Sequence, residues 1–180
     1  MMHKKRKRSN GMKMHWTKCL GKNFWSNPLF YHAFDSPLPP IDPLAIANGL
    51  GIEVIRVTNY TAPSLSVMAD VNSGIATISY RPFKNDDRKT RFYIAYGIGL
   101  VIMAQRMSFK ATTVPVIISK EGRQGTAYSY AVDLLMPEAD WNIHIKNLSR
   151  CTPEKRYSTL AKYFQVPSSE VELRYHKLYS

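Results

Sequence analysis

The stretch from Arg88 to Gln105, RKTRFYIAYGIGLVIMAQ, constrains the fold more than any other part of the chain. Arg88, Phe92, Tyr93, Tyr96, Gly99, Ile102 and Met103 recur at spacings of three and four, the period of one helical face. Ala95, Ile98 and Val101 fill most of the remaining positions, so little polar surface is left beyond Arg91. Asn85, Asp86 and Asp87 stand where side-chain oxygens can cap the first turn. A helix that is apolar on nearly every side belongs inside a core. It is not a membrane span, because its apolar part, Tyr93 to Ala104, falls short of the roughly 18 residues that a bilayer requires.

With 180 residues the chain forms one domain, long enough to bury about two thirds of the surface its unfolded form exposes. A hydrophobic share of 44%, with 11 Tyr, 7 Phe and 3 Trp, describes a globular protein with an aromatic core. Cys19 and Cys151 offer neither the CxxC spacing of a zinc site nor the density of a secreted disulfide scaffold. A reducing, cytoplasmic setting is expected. The basic start runs into Gly11, Met12 and polar residues where a signal peptide would carry an apolar run, so a soluble protein that is not exported is expected.

The formal net charge of +12 is unevenly spread. Residues 1–22 hold Lys4, Lys5, Arg6, Lys7, Arg8, Lys13, Lys18 and Lys22 and no acid. The block from Lys4 to Arg8 attracts phosphates by counterion release, so it is a candidate for salt-sensitive, sequence-blind nucleic-acid binding. The plainer reading of such a block is a disordered, solubilising tail. Residues 23–40 follow as an aromatic and proline-rich arm with Phe24, Trp25, Phe30, Tyr31 and Phe34 among its prolines, where helix is disfavoured. Its aromatics are expected to pack onto the domain, with stacking on single-stranded bases as the functional alternative.

From Ile41 onward the elements come in a clear order. DPLAIANGL predicts a helix with Asp42 as N-cap and Pro43 at the first helical position. Ile52 to Val57 alternates as a strand, and Ser66–Asp70 and Gly74–Tyr80 form two more across the VNSG turn. After the buried helix, TTVPVIISK predicts a short strand or a loop, with Pro115 restricting a strand to a sheet edge. GTAYSYAVDLLMP carries the apolar stripe of another helix, Ala127, Tyr130, Ala131, Leu134 and Leu135, and Pro137 ends it. Thr152 and Pro153 open the first of two closing helices, and Ser169 with Glu172 has the spacing of a capping box for the second.

This order carries a resemblance. A helix ending in LGI before a strand, a hairpin, R-F-x-x-A on the buried helix, A-x-x-Y-A-x-x-L-L-M-P and a closing L-A-x-x-F-x-V-P together resemble the ImmA/IrrE family of metallopeptidases over roughly Ile41 to Leu178. LLMP following RFxxA is the most specific part. The resemblance implies an α+β fold of zincin-like type: a small three-stranded sheet, with mixed strand directions as one alternative, packed on a buried central helix. It divides the chain into a basic tail (1–22), an arm (23–40), a degenerate metallopeptidase-like domain (41–150) and a C-terminal helical pair (151–180).

The family's chemistry does not carry over. Its zinc is held by two His one turn apart on the helix, with the intervening Glu as general base and a downstream Glu as third ligand. Tyr96 stands at the first His, Gly97 at the base, Leu100 at the second His and Gln124 at the third ligand. Only Gly99 keeps the family's residue. The five histidines, His3, His15, His32, His144 and His176, supply no i, i+4 pair. Neither Cys has an identifiable catalytic partner, and no GxSxG elbow or phosphate-binding loop is present. No metal, no cofactor and no catalytic residue is therefore expected. The function expected is that of an inactive relative of phage or mobile-element type, which binds a protein such as a helix-turn-helix repressor without cutting it. Nucleic-acid binding through the tail and arm is the alternative.

Overall fold

The computed structural model describes residues 39–59, 64–70, 75–106, 112–115 and 125–179. The basic tail and the arm up to residue 38 lie outside the described residues. The remainder is an α+β domain in the order α1 (Pro43–Gly49), β1 (Glu53–Arg56), β2 (Leu65–Asp70), β3 (Ile75–Tyr80), α2 (Asp87–Arg106), β4 (Thr112–Pro115), α3 (Thr126–Leu135), α4 (Glu138–Asn147), α5 (Pro153–Phe164) and α6 (Ser168–Tyr179). No helix among the described residues is long and apolar enough to cross a membrane.

α1 starts as its sequence dictates. Asp42 accepts the Leu44 N–H through Oδ1 at 2.9 Å, and Pro43 takes the first turn, where its missing N–H costs nothing. Gly51 adopts a positive φ of 68°, which lets the chain turn sharply from α1 into β1.

The sheet is mixed, in the order β1-β3-β2-β4. β1 runs parallel to β3, and β2 lies antiparallel to both β3 and β4. The expected three strands are thus joined by a fourth at the edge, where Pro115, lacking an N–H, is tolerated. Register brings Val54, Ile78 and Val67 into one line across the sheet, on the face that meets α2. The alternate residues Ile55, Met68 and Ile75 point to the other face and are exposed.

α2 is the centre of the core, with Phe92, Ile94, Ala95, Tyr96, Ile98, Val101 and Ile102 all buried. Asp86 starts it by accepting the Lys89 N–H at 2.9 Å. It packs on β2 and β3 along one side and on α3 along another. Two glycines make these approaches close. A Cβ on Gly97 would lie 2.9 Å from Ile78 Cγ2, and a Cβ on Gly99 would lie 2.5 Å from the Ala127 carbonyl oxygen. The first obstacle is a side chain; the second is backbone, which cannot step aside.

Arg91 joins three distant parts of the chain. Its Nη2 donates to the Ile41 carbonyl at 2.6 Å and its Nε to the Gln165 carbonyl at 3.4 Å. Burial lowers its pKa, and the carboxylate of Asp42 pushes back in the opposite direction. Gln165 ends α5 in the left-handed region at φ 54° and turns the chain into α6. Trp141 of α4 stacks on Phe164 of α5 with ring centroids 6.1 Å apart. Arg156 gathers the carbonyls of Leu148, Ser149 and Cys151 and bonds Tyr175 Oη at 2.9 Å, which fixes the α4–α5 loop against the last helix.

The capping box expected for α6 does not form. The helix begins at Ser168, so Ser169 lies inside its first turn and donates to Glu170 Oε1 at 3.3 Å. Glu172 lies 3.9 Å from His176 on the exposed side.

Gly99→Ala is expected to lower stability by about 1–3 kcal/mol, the usual range for overpacking, even though alanine is the better helix former. Urea unfolding measures it. An unchanged or higher midpoint would mean that α2 and α3 do not approach as closely as described.

Candidate functional site: the outward face of the central helix

Tyr93, Tyr96, Leu100 and Met103 lie at helical spacings that place them on one side of α2, away from Arg91. Tyr96 is buried at 7% exposure, while Tyr93, Leu100 and Met103 are half-buried against the core. Phe83, in the loop before α2, meets Tyr93 edge-to-face at 4.6 Å, and Lys89 Nζ sits 4.3 Å above the Phe83 ring. The face is therefore aromatic and aliphatic, with phenol groups as its polar component. Burial raises the pKa of Tyr96, and the neighbouring Tyr93 adds to the rise. Tyr96 is held as a neutral phenol at physiological pH.

Two positions single out this face. Tyr96 and Leu100 share it, one turn apart, as two metal-binding side chains on a helix would. Gly97, between them in sequence, points elsewhere: its missing side chain is directed at Ile78 in the middle of the sheet. The helix has settled onto β3 where a side chain at 97 would have to fit.

Gln124 lies outside the described residues, as do Lys4, Lys5, Arg6, Lys7 and Arg8 and the histidines His3, His15 and His32. His144 packs its ring on Tyr163 at 3.7 Å, on α4, and His176 pairs with Glu172 on the exposed side of α6. Neither sits on α2. Among the described residues no three His, Cys, Asp or Glu side chains come together as a metal site. The arrangement at α2 can receive an apolar or aromatic segment by burial, and it presents no carboxylate or imidazole to move a proton.

A polar cluster on the other side of α3 has no counterpart in the sequence reading. Glu170 and Arg174 of α6 are both buried; Tyr128 donates its hydroxyl hydrogen bond to Glu170, and Arg174 Nη1 meets Asp133 Oδ1 at 2.8 Å. Glu170 and Arg174 stand at the i, i+4 spacing of an exposed helix pair, so periodicity alone assigns them to solvent.

No protein-family model matches the chain, and no curated protein matches its sequence.

The raised Tyr96 pKa has a sign that can be tested. Above pH 10 the unfolded chain releases the phenolic proton while the folded chain retains it, so this group's contribution to stability is lost as pH rises from 10 toward the folded value. Tyr96→Phe is expected to flatten the alkaline fall in stability, read from urea midpoints between pH 9 and about 11. An alkaline limb identical to that of the unmodified protein would show that Tyr96 ionises as freely as an exposed tyrosine.

Proposed function

We propose that the chain is a non-catalytic relative of the ImmA/IrrE metallopeptidases that binds a protein segment along the outward face of α2 and does not cleave it. The observation that carries this reading is the fate of the catalytic positions. A phenol and an isobutyl group stand where the resemblance puts the two zinc ligands, and Ile78 closes on Gly97 where it puts the base. Zinc hydrolysis needs a metal held by several protein ligands and a base to direct the bound water. With Tyr96, Gly97 and Leu100 at those positions, the helix supplies neither.

What the face retains is a capacity to bind. Half-buried Tyr93, Leu100 and Met103 give apolar area, and tyrosines suit contacts that combine packing with a hydrogen bond. The bound chemistry is an extended or helical peptide with apolar anchors, and the family resemblance makes a helix-turn-helix repressor of the same host or phage the partner to try first.

The α5–α6 pair does not favour DNA reading as its function. Two of the charges on α6, Glu170 and Arg174, turn inward, and the outward Glu172 would repel phosphate. Domain packing accounts for the pair.

Zinc analysis of the purified full chain, combined with capture of a repressor from host lysate, tests the proposal. Substoichiometric zinc, with the repressor retained intact and lost on Leu100→Arg, is the expected result. Stoichiometric zinc, with cleavage of the repressor that stops on chelation, would refute it.

A further inference from the structure

α6 is attached to the domain differently from the other helices. Its buried side chains are Glu170, Val171 and Arg174, so two of the three are charged. In α5 the corresponding set is Leu160, Ala161 and Phe164. Apolar burial holds α5 in place; a buried charge is a cost that specific partners must offset. The partners of Glu170, Arg174 and Lys177 come from α3, while Tyr175 Oη accepts from Arg156 of α5 at 2.9 Å. Tyr128 donates its hydroxyl hydrogen bond to Glu170, Arg174 Nη1 meets Asp133 Oδ1 at 2.8 Å, and Lys177 Nζ reaches Ser129 Oγ at 3.2 Å.

This seam leaves donors unmatched. The Arg174 guanidinium lies 5.2 Å from the Trp141 ring centroid, and both Arg174 Nε and Trp141 Nε1 are buried without a hydrogen-bond partner. An unpaired buried donor costs free energy that hydration recovers. Both donors would be hydrated once α6 moved away. Water already has access to the rim, since the side chain of Asp133 is 55% exposed. Closure of α6 thus gathers polar bonds on one side and strands two N–H groups on the other.

We propose that α6 is a releasable strap, which opens by parting its polar seam with α3 and the Arg156–Tyr175 bond to α5, and uncovers Tyr128 and Trp141 while α2 and the sheet stay folded. The opening changes the character of the surface. A closed, charged joint becomes an aromatic one, beside the helix that bears on α2 at Gly99. The strap stands on the contacts of α6 with α3 and α5, where Tyr175 also meets the Tyr157 ring at 5.5 Å, and is independent of what the α2 face binds.

Amide hydrogen exchange of the full chain, followed residue by residue, tests the strap. The expected result is that α6 amides exchange through an opening that leaves α2 amides protected, and that Tyr128→Phe speeds α6 exchange about tenfold with α2 unchanged. Asp133→Asn removes the opposing charge of Arg174 at a half-exposed position, so it decides the matter if Tyr128→Phe fails to fold. It too should accelerate α6 selectively. Exchange of α6 at the α2 rate in the unmodified chain, or an equal acceleration of both helices in the variant, would overturn the proposal.

Discussion

The close approach of α2 to its two neighbours is the constraint on which the rest of the structure depends. Gly97 lets the helix settle on Ile78 of β3, and Gly99 lets it settle on the backbone of Ala127 in α3. Glycine inside a helix costs up to about 1 kcal/mol relative to alanine, and here two of them occur within one turn. The compensation is packing: Ile98, Val101 and Ile102 become fully or almost fully buried, together with Ile78, Leu134 and Leu135 from the layers on either side. Interiors this dense respond to single added carbons. The same contact that organises the core also determines what chemistry α2 can host, because the position at 97 has been absorbed into the packing between helix and sheet.

Much of this was legible before any coordinates. Helix α2 runs Asp87–Arg106, close to the Arg88–Gln105 that periodicity defines, because an apolar helix with an acidic start has few alternatives. Asp42 and Thr152 cap the helices for which they were expected, through Leu44 N–H and Lys155 N–H. The hairpin of β2 and β3 follows from alternation on either side of a turn. The mixed order of the sheet was less accessible, since strand pairing between β1 and β3 is a long-range choice that local sequence does not encode. Residues Glu138–Asn147 form α4 without an apolar stripe; Trp141 is their only buried side chain, so the helix rests on one anchor rather than on a pattern.

The candidate site divides in the same way. Identities at Tyr96, Gly97 and Leu100 could be read directly from the spacing on the helix. Their physical consequence could not, because the contact of Gly97 with Ile78 spans two elements that only the fold brings together. Glu170 and Arg174 mislead for a related reason. A charged pair at i, i+4 belongs to solvent by default, and only the placement of Tyr128 and Asp133 on α3 turns it inward. Arg91 shows a third case: its bonds to Ile41 and Gln165 tie the entry of the domain to the turn between its last two helices, across sequence separations that no motif announces.

The account rests most directly on the contact between position 97 and Ile78, and a double-mutant cycle on folding stability isolates it. Gly97→Ala and Ile78→Ala are made singly and together, and unfolding free energies are compared. The prediction is strong coupling, with Gly97→Ala destabilising in the native background and much less so, or stabilising, once the Ile78 side chain is removed. Additive effects would contradict the account, since they would mean that α2 and β3 leave room for a side chain at position 97.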